Sequence, residues 1–210
     1  MSLVSRLLGA NPSIQVSTLL SGSLSTPSAK QAKSLNSYES IAFATATGGS
    51  GTQMEFTNIP QIYTNLRIVL QSATYDGNLR ALLVGYNSDT SASYSSHSFY
   101  HNAGTTQSTN STSNQWNSFF AGGTDGLGGQ TDNWGLLVID IFDYADTSKC
   151  TSSMALGGYV GTGTTGTQGY GCAIFTKTDA VTSIQLLPNY SSGWRVNSKA
   201  GLYGIRAQNG

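Results

Sequence analysis

Charge is the scarcest ingredient of this chain. Asp, Glu, Lys and Arg make up 10% of its 210 residues, against roughly a quarter in ordinary soluble domains, and the 10 basic side chains balance the 10 acidic ones. A neutral chain has no long-range attraction for a polyanion, so nucleic acid is not expected as a partner. Its polarity comes instead from Ser, Thr, Asn, Gln and Gly. An exterior of that kind suits a protein held in an assembly or exposed outside a cell better than a free intracellular enzyme.

Cysteine is nearly absent too. Cys150 and Cys172 stand alone, in no Cys-x-x-Cys or Cys/His spacing, which excludes the usual zinc and redox motifs and leaves two small apolar strand residues, or one disulfide formed after release from the cell. No apolar run approaches the roughly 18 residues that cross a bilayer, and Met1 to Gly9 lacks the apolar stretch and cleavage site of a secretory signal. No membrane insertion is expected, and synthesis is placed in the host cytoplasm.

What is present falls into two textures. Up to residue 37, Leu3, Val4, Leu7, Leu8, Ile14, Val16, Leu19, Leu20 and Leu24 are interrupted by Gly9, Asn11-Pro12, Ser21-Gly22-Ser23 and Thr26-Pro27, so no helical stripe lasts two turns. Such a segment is too apolar for a solvated linker and too broken to fold alone. The reading is an extended N-terminal arm over residues 1–37, hinged at Lys30 to Ser37, which buries its aliphatic side chains against another polypeptide. Leu3, Leu7, Leu8, Ile14, Val16, Leu19 and Leu20 are its expected docking contacts.

From residue 38 to 210 the pattern is β. Ile41, Phe43 and Thr45 alternate with alanines, Gly48 to Gly51 makes a turn, and Met54 and Phe56 resume the period of two, which reads as a hairpin. Leu66, Ile68 and Leu70 share one face; so do Leu82, Val84 and Tyr86, with Asp76-Gly77 turning between the two runs. Trp134 to Phe142 is apolar on both faces, as at the centre of a two-layer sandwich. Strands are also expected over 153–160, 171–176, 181–187 and 200–206, while 89–114 and 121–133 read as long functional loops and 161–169 as a hairpin tip. The fold class is all-β, an antiparallel jelly-roll-like sandwich.

Catalytic readings are weak. Asp140 and Asp143 are an odd number apart and point to opposite faces of an unbroken strand, so the carboxylates of Asp140, Asp143 and Asp146 read as structural and turn-capping rather than as an acid/base or calcium site. His97 and His101 share a strand face but have no Glu or Cys beside them, so no metal is expected. Gly157-Gly158 and Gly126 to Gly129 open no helix, and they read as turn glycines rather than a phosphate loop. No cofactor is expected, nor any catalytic residue. Aromatic rings beside polar loops are the remaining binding signal, since such rings stack on sugars; His97, Tyr100, His101, Trp116 and Trp134 are the candidate glycan contacts.

In order and spacing, Ser37-Tyr-Glu-Ser-Ile-Ala42, Met54-Glu-Phe-Thr-Asn-Ile-Pro60, Tyr63-Thr-Asn-Leu-Arg-Ile68, Gly85-Tyr-Asn-Ser-Asp89, Tyr94-Ser-Ser-His97 and Gly201-Leu-Tyr-Gly-Ile205 resemble a group of tailed-bacteriophage virion proteins of the tail and tail-fibre-like type. The resemblance spans roughly residues 37–207. It implies a non-enzymatic β-sandwich particle component, often oligomeric, with a variable arm in front. On that footing the expected protein is a tail-fibre or baseplate-associated subunit, a homotrimer anchored through its arm to other virion proteins and facing host surface glycans. A capsid decoration protein clamped to the major capsid protein and a free-standing carbohydrate-binding module are the alternatives. The Leu-Tyr-Gly-Ile closure is expected to supply core positions at Tyr203 and Ile205.

Overall fold

The computed structural model describes residues 38–76, 80–102, 105–114, 116–124, 134–160, 166–189 and 193–206. The chain divides into one unit of Met1–Asn36 and another of Ser37–Gly210, and the described residues all belong to the second. All seven expected docking residues of the arm lie outside the described residues.

Among the described residues twelve strands build the second unit: β1 (Tyr38–Thr45), β2 (Met54–Phe56), β3 (Asn65–Ser72), β4 (Arg80–Tyr86), β5 (Tyr94–Asn102), β6 (Thr105–Asn114), β7 (Asn117–Thr124), β8 (Gly135–Phe142), β9 (Thr151–Val160), β10 (Gly166–Phe175), β11 (Ile184–Pro188) and β12 (Lys199–Ile205). They form two sheets, one of eight strands in the order β1-β12-β3-β8-β9-β10-β5-β6 and one of four in the order β2-β11-β4-β7. Every ladder is antiparallel. No helix among the described residues is long and apolar enough to cross a membrane.

Period-two patterning explains the layering. In β3, Leu66, Ile68 and Leu70 are fully buried while Arg67, Val69 and Gln71 face away, and β8 does the same with Leu137, Ile139 and Ile141 inward. Met54, Phe56, Leu82, Val84, Ile184 and Leu186 of the small sheet meet them to form one core. Each such side chain contributes about 1.5–3 kcal/mol on burial. Tyr94 of β5 stacks on Phe175 of β10 at 5.0 Å between centroids, and Tyr86 of β4 closes the trio from the opposite sheet at 6.1 and 5.6 Å. Burial pushes the Tyr94 phenol up to about 12, so it stays a neutral donor and acceptor. Its oxygen accepts the Tyr86 N–H at 3.0 Å, and the Tyr86 and Asp89 carbonyls both lie 3.2 Å away.

Several sequence expectations are corrected by this topology. Strands β1 and β2 are no hairpin: β1 pairs with β12 and β2 with β11, so the chain crosses between sheets through Gly48 to Gly51. The span 89–114 is not one loop, because β5 and β6 pair from Tyr94 to Asn114; Ser, Thr and Asn mask a strand when it needs little apolar surface near a sheet edge. Gly157 and Gly158 lie inside β9 rather than in a turn, and β7 extends through residues 121–124. Tyr203 and Ile205 do share a face, but it is the outer one, where both are only half-buried. Between them Gly204 points inward, and the Tyr63 ring occupies the place a side chain would take.

The turn between β4 and β5 is electrostatically set. Lys177 Nζ lies 2.7 Å from the Asp89 carboxylate, which also accepts from Ser91 Oγ at 2.6 Å and Ser91 N at 2.8 Å. These partners, the lysine first, hold Asp89 well below the usual carboxylate range. A depressed folded value means the stabilisation is complete above the unfolded aspartate value, about 3.9, and disappears as pH falls through the folded one. Asp89→Asn should therefore lower the melting temperature at neutral pH, with the gap from wild type closing below about pH 3; a gap independent of pH in thermal scans would rule this out.

Candidate functional site

The outer face of the eight-stranded sheet carries an unusual set of side chains. Successive registers pair Phe43 with Gly201, Gly201 with Val69, Val69 with Val138, Val138 with Leu156, Leu156 with Tyr170 and Tyr170 with Phe99, so one row of mostly apolar residues crosses seven strands from β1 to β5. Phe43 is 71% exposed, Leu156 65% and Phe99 55%. Leu136, Met154 and Ile174 flank the row on the same face, as does Tyr38, whose ring stacks on Tyr203 at 4.9 Å.

This face explains the two-sided apolar pattern of residues 134–142. Sequence reasoning placed that strand in the middle of the sandwich with both sides covered; β8 is indeed interior to its sheet, but Leu136 is 58% exposed because a two-layer sandwich covers only one face of each sheet. Charge near the middle of the outer face is self-cancelling, with Lys199 of β12 the other charged side chain on it among the described residues. Arg67 and Asp140 are register partners joined by two hydrogen bonds, Nε to Oδ1 at 2.6 Å and Nη2 to Oδ2 at 2.8 Å. Asp143 and Asp146 lie beyond the strand, where Lys149 Nζ approaches them at 3.0 and 3.5 Å.

At one end of the face lies a depression of about 610 Å³. Register row Leu136–Gly158–Gln168–His101 crosses it, and the missing side chain of Gly158 opens the space between Leu136 and Gln168. Trp134 and Leu156 form further walls, with Tyr159 alongside. A carbon added to Gly158 would meet the Thr167 carbonyl at 2.6 Å, so the floor is fixed by close backbone approach.

Of the five candidate glycan contacts, the fold brings only His101 and Trp134 into this depression. His97 is on the same face but stacks on Phe99 at 5.6 Å, 9° from parallel. Tyr100 points to the other side of β5, where it is half-buried. Trp116 covers Gly85 of β4, in the other sheet. The five do not form one site. Leu136, Leu156 and Gln168 were missed as lining residues; Leu136 carried a signal, the second apolar side of residues 134–142, which reads as burial, whereas Leu156 and Gln168 are brought beside it only by the pairing of β8, β9 and β10.

The chain matches no protein-family model, no curated protein and no solved structure. Both cysteines are free. Cys172 pairs in register with Met154, while Cys150 precedes the Thr151 that pairs with Phe175, so the two lie about four strand residues apart, roughly 13 Å at strand rise. That is beyond disulfide reach. Among the described residues no group of three His, Cys, Asp or Glu gathers as metal ligands would.

Proposed function

We propose that this chain is a non-enzymatic structural subunit of a bacteriophage particle, a tail-fibre or baseplate-associated β-sandwich built into an assembly. The observation that carries this reading is the outer sheet face, where an uncharged apolar row lies open along seven strands. Monomeric proteins rarely leave such a surface uncovered. The low charge of the whole chain and its resemblance to tail proteins support the same role. The aliphatic arm supplies the anchor to other virion proteins, leaving the sandwich for contacts within the assembly.

Electron cryo-microscopy of the intact particle tests this directly. Density for the sandwich in the tail or baseplate is expected. Several hundred copies on the shell would instead make it a decoration protein bound to the major capsid protein. Deleting residues 1–30 should leave a folded sandwich that no longer enters particles; normal incorporation would defeat the anchor role.

The depression favours a second activity, contact with host surface glycans, because Trp134 offers a ring to stack on a sugar while Gln168 and His101 offer polar atoms. Trp134→Ala should abolish binding on a glycan array with the fold intact. Removing one stacking ring from a weak sugar site costs about 1–2 kcal/mol, roughly a five- to thirty-fold loss, and unchanged array signals would exclude this site.

A further inference from the structure

We infer that two copies of this chain associate through the outer face of the eight-stranded sheet, each laying its apolar row against that of the other; because Leu136 and Leu156 also wall the depression, this pairing and the glycan contact are alternative uses of the face. The inference rests on the assembly reading above and names the partner that covers the face.

Three observations select a second copy. The first is area. Nine of the twelve exposed large hydrophobic residues among those described sit on this one face. Scaled by side-chain surfaces of roughly 150–250 Å², their exposed fractions come to on the order of 800 Å², which is what one partner contributes to a standard stable interface, about 800 Å². A monomer's largest apolar patch is usually about 300–600 Å².

The second is charge. The ionic groups near the centre of the row are Arg67 and Asp140, already paired with each other, and the other charged side chain on the face among the described residues, Lys199, sits on β12 two residues before Gly201, away from the centre, so the middle of the row meets its own copy without repulsion. A strongly charged partner would gain nothing there.

The third is symmetry. A trimer joins two different patches on each subunit, whereas a twofold dimer needs one patch that is complementary to itself. The remaining exposed large hydrophobics, Ile62, Tyr75 and Val196, are not on this face, so the described surface concentrates its apolar area in one place. This replaces the trimer expected from the resemblance with a face-to-face pair, the two large sheets stacking about 10 Å apart.

The test uses the full chain. Light scattering at about 1–100 μM, the weak end for an interface of this size, should give twice the 22.0 kDa of one copy. The double substitution Leu156→Lys with Tyr170→Lys should weaken association at least 100-fold, because lysines at a self-complementary centre face their own mates. Its circular dichroism should match wild type. Should the variant misfold, alkylation of Cys172 in the wild-type chain decides instead. That thiol is exposed on the same face, beside Met154 and His97, so its labelling should slow about ten-fold as concentration rises through the dimer range while Cys150 serves as the reference. A wild-type chain that stays monomeric or forms trimers overturns the inference, as does a lysine variant that remains dimeric or a Cys172 rate independent of concentration. A monomer still incorporated into particles would overturn the dimer alone and leave the assembly role standing.

Discussion

Replacing Trp194 by Ala is expected to cost about 3–5 kcal/mol, the range for deleting a large aromatic from a core. Trp194 is fully buried in the segment between β11 and β12 and touches both layers. Its indole Nε1 donates to the Leu186 carbonyl of the small sheet at 3.1 Å, its backbone N–H donates to Thr52 Oγ1 at 2.9 Å, its carbonyl accepts from Gly49 N at 3.1 Å, and its backbone bridges Thr74 beyond β3. Truncation leaves a ring-sized void and a buried carbonyl without its donor. For a domain of this size each kcal/mol moves the melting temperature by about 2–4 °C, so a drop of about 6–20 °C is expected in thermal unfolding. Trp194→Phe separates the two contributions, since it keeps most of the volume and loses only the indole N–H, about 1–2 kcal/mol. Equal losses for Phe and Ala would mean that the ring's packing contributes nothing.

Gly193→Ala is the second large effect, and it has an internal control. Gly193 has φ +77°, and a carbon added there would run into the Gly49 carbonyl, with Gly51 N at 2.8 Å and Thr52 N at 2.9 Å. The obstacles are backbone atoms, so no side chain can swing aside. Left-handed backbone costs an L-residue about 1–2 kcal/mol, and forcing apart a packed contact costs about 1–3 kcal/mol more. Gly51 has φ +70° but nothing within 4 Å of an added carbon, so Gly51→Ala should incur the first cost without the second. Chemical denaturation of the two variants should then differ by at least about 1 kcal/mol. If the two proved equally destabilised, the close approach of the 193–194 segment to the 49–52 turn would play no part in stability.

The strands that were legible in the sequence are those whose alternation is driven by one buried face: Leu66, Ile68 and Leu70 in β3, and Leu82, Val84 and Tyr86 in β4. Strand β5 was half legible, since residues 93–101 are strand-like and put His97 and His101 on one face while the span around them reads as a loop; β6 was not legible, because its Thr/Ser/Asn run gives no apolar period to read. Pairing was misread where neighbours in sequence part company in space. Nothing in the Gly48 to Gly51 turn says whether the chain will double back in its own sheet or cross to the other one. The candidate site was half visible: Trp134 and His101 were singled out as aromatic groups beside loops, while Leu136, Leu156 and Gln168 join them only because β8, β9, β10 and β5 lie side by side.

Composition and periodicity by themselves determined that this is an antiparallel all-β protein of very low charge, since both depend on residue identity and on spacing along the chain. Tertiary structure alone decided which side of each strand meets solvent. A run such as Gly135–Phe142 is apolar on both sides apart from Asp140, and its spacing does not say whether one layer or two will cover it. The eight-strand and four-strand division settles that, leaving the outer side of the larger sheet open to a partner.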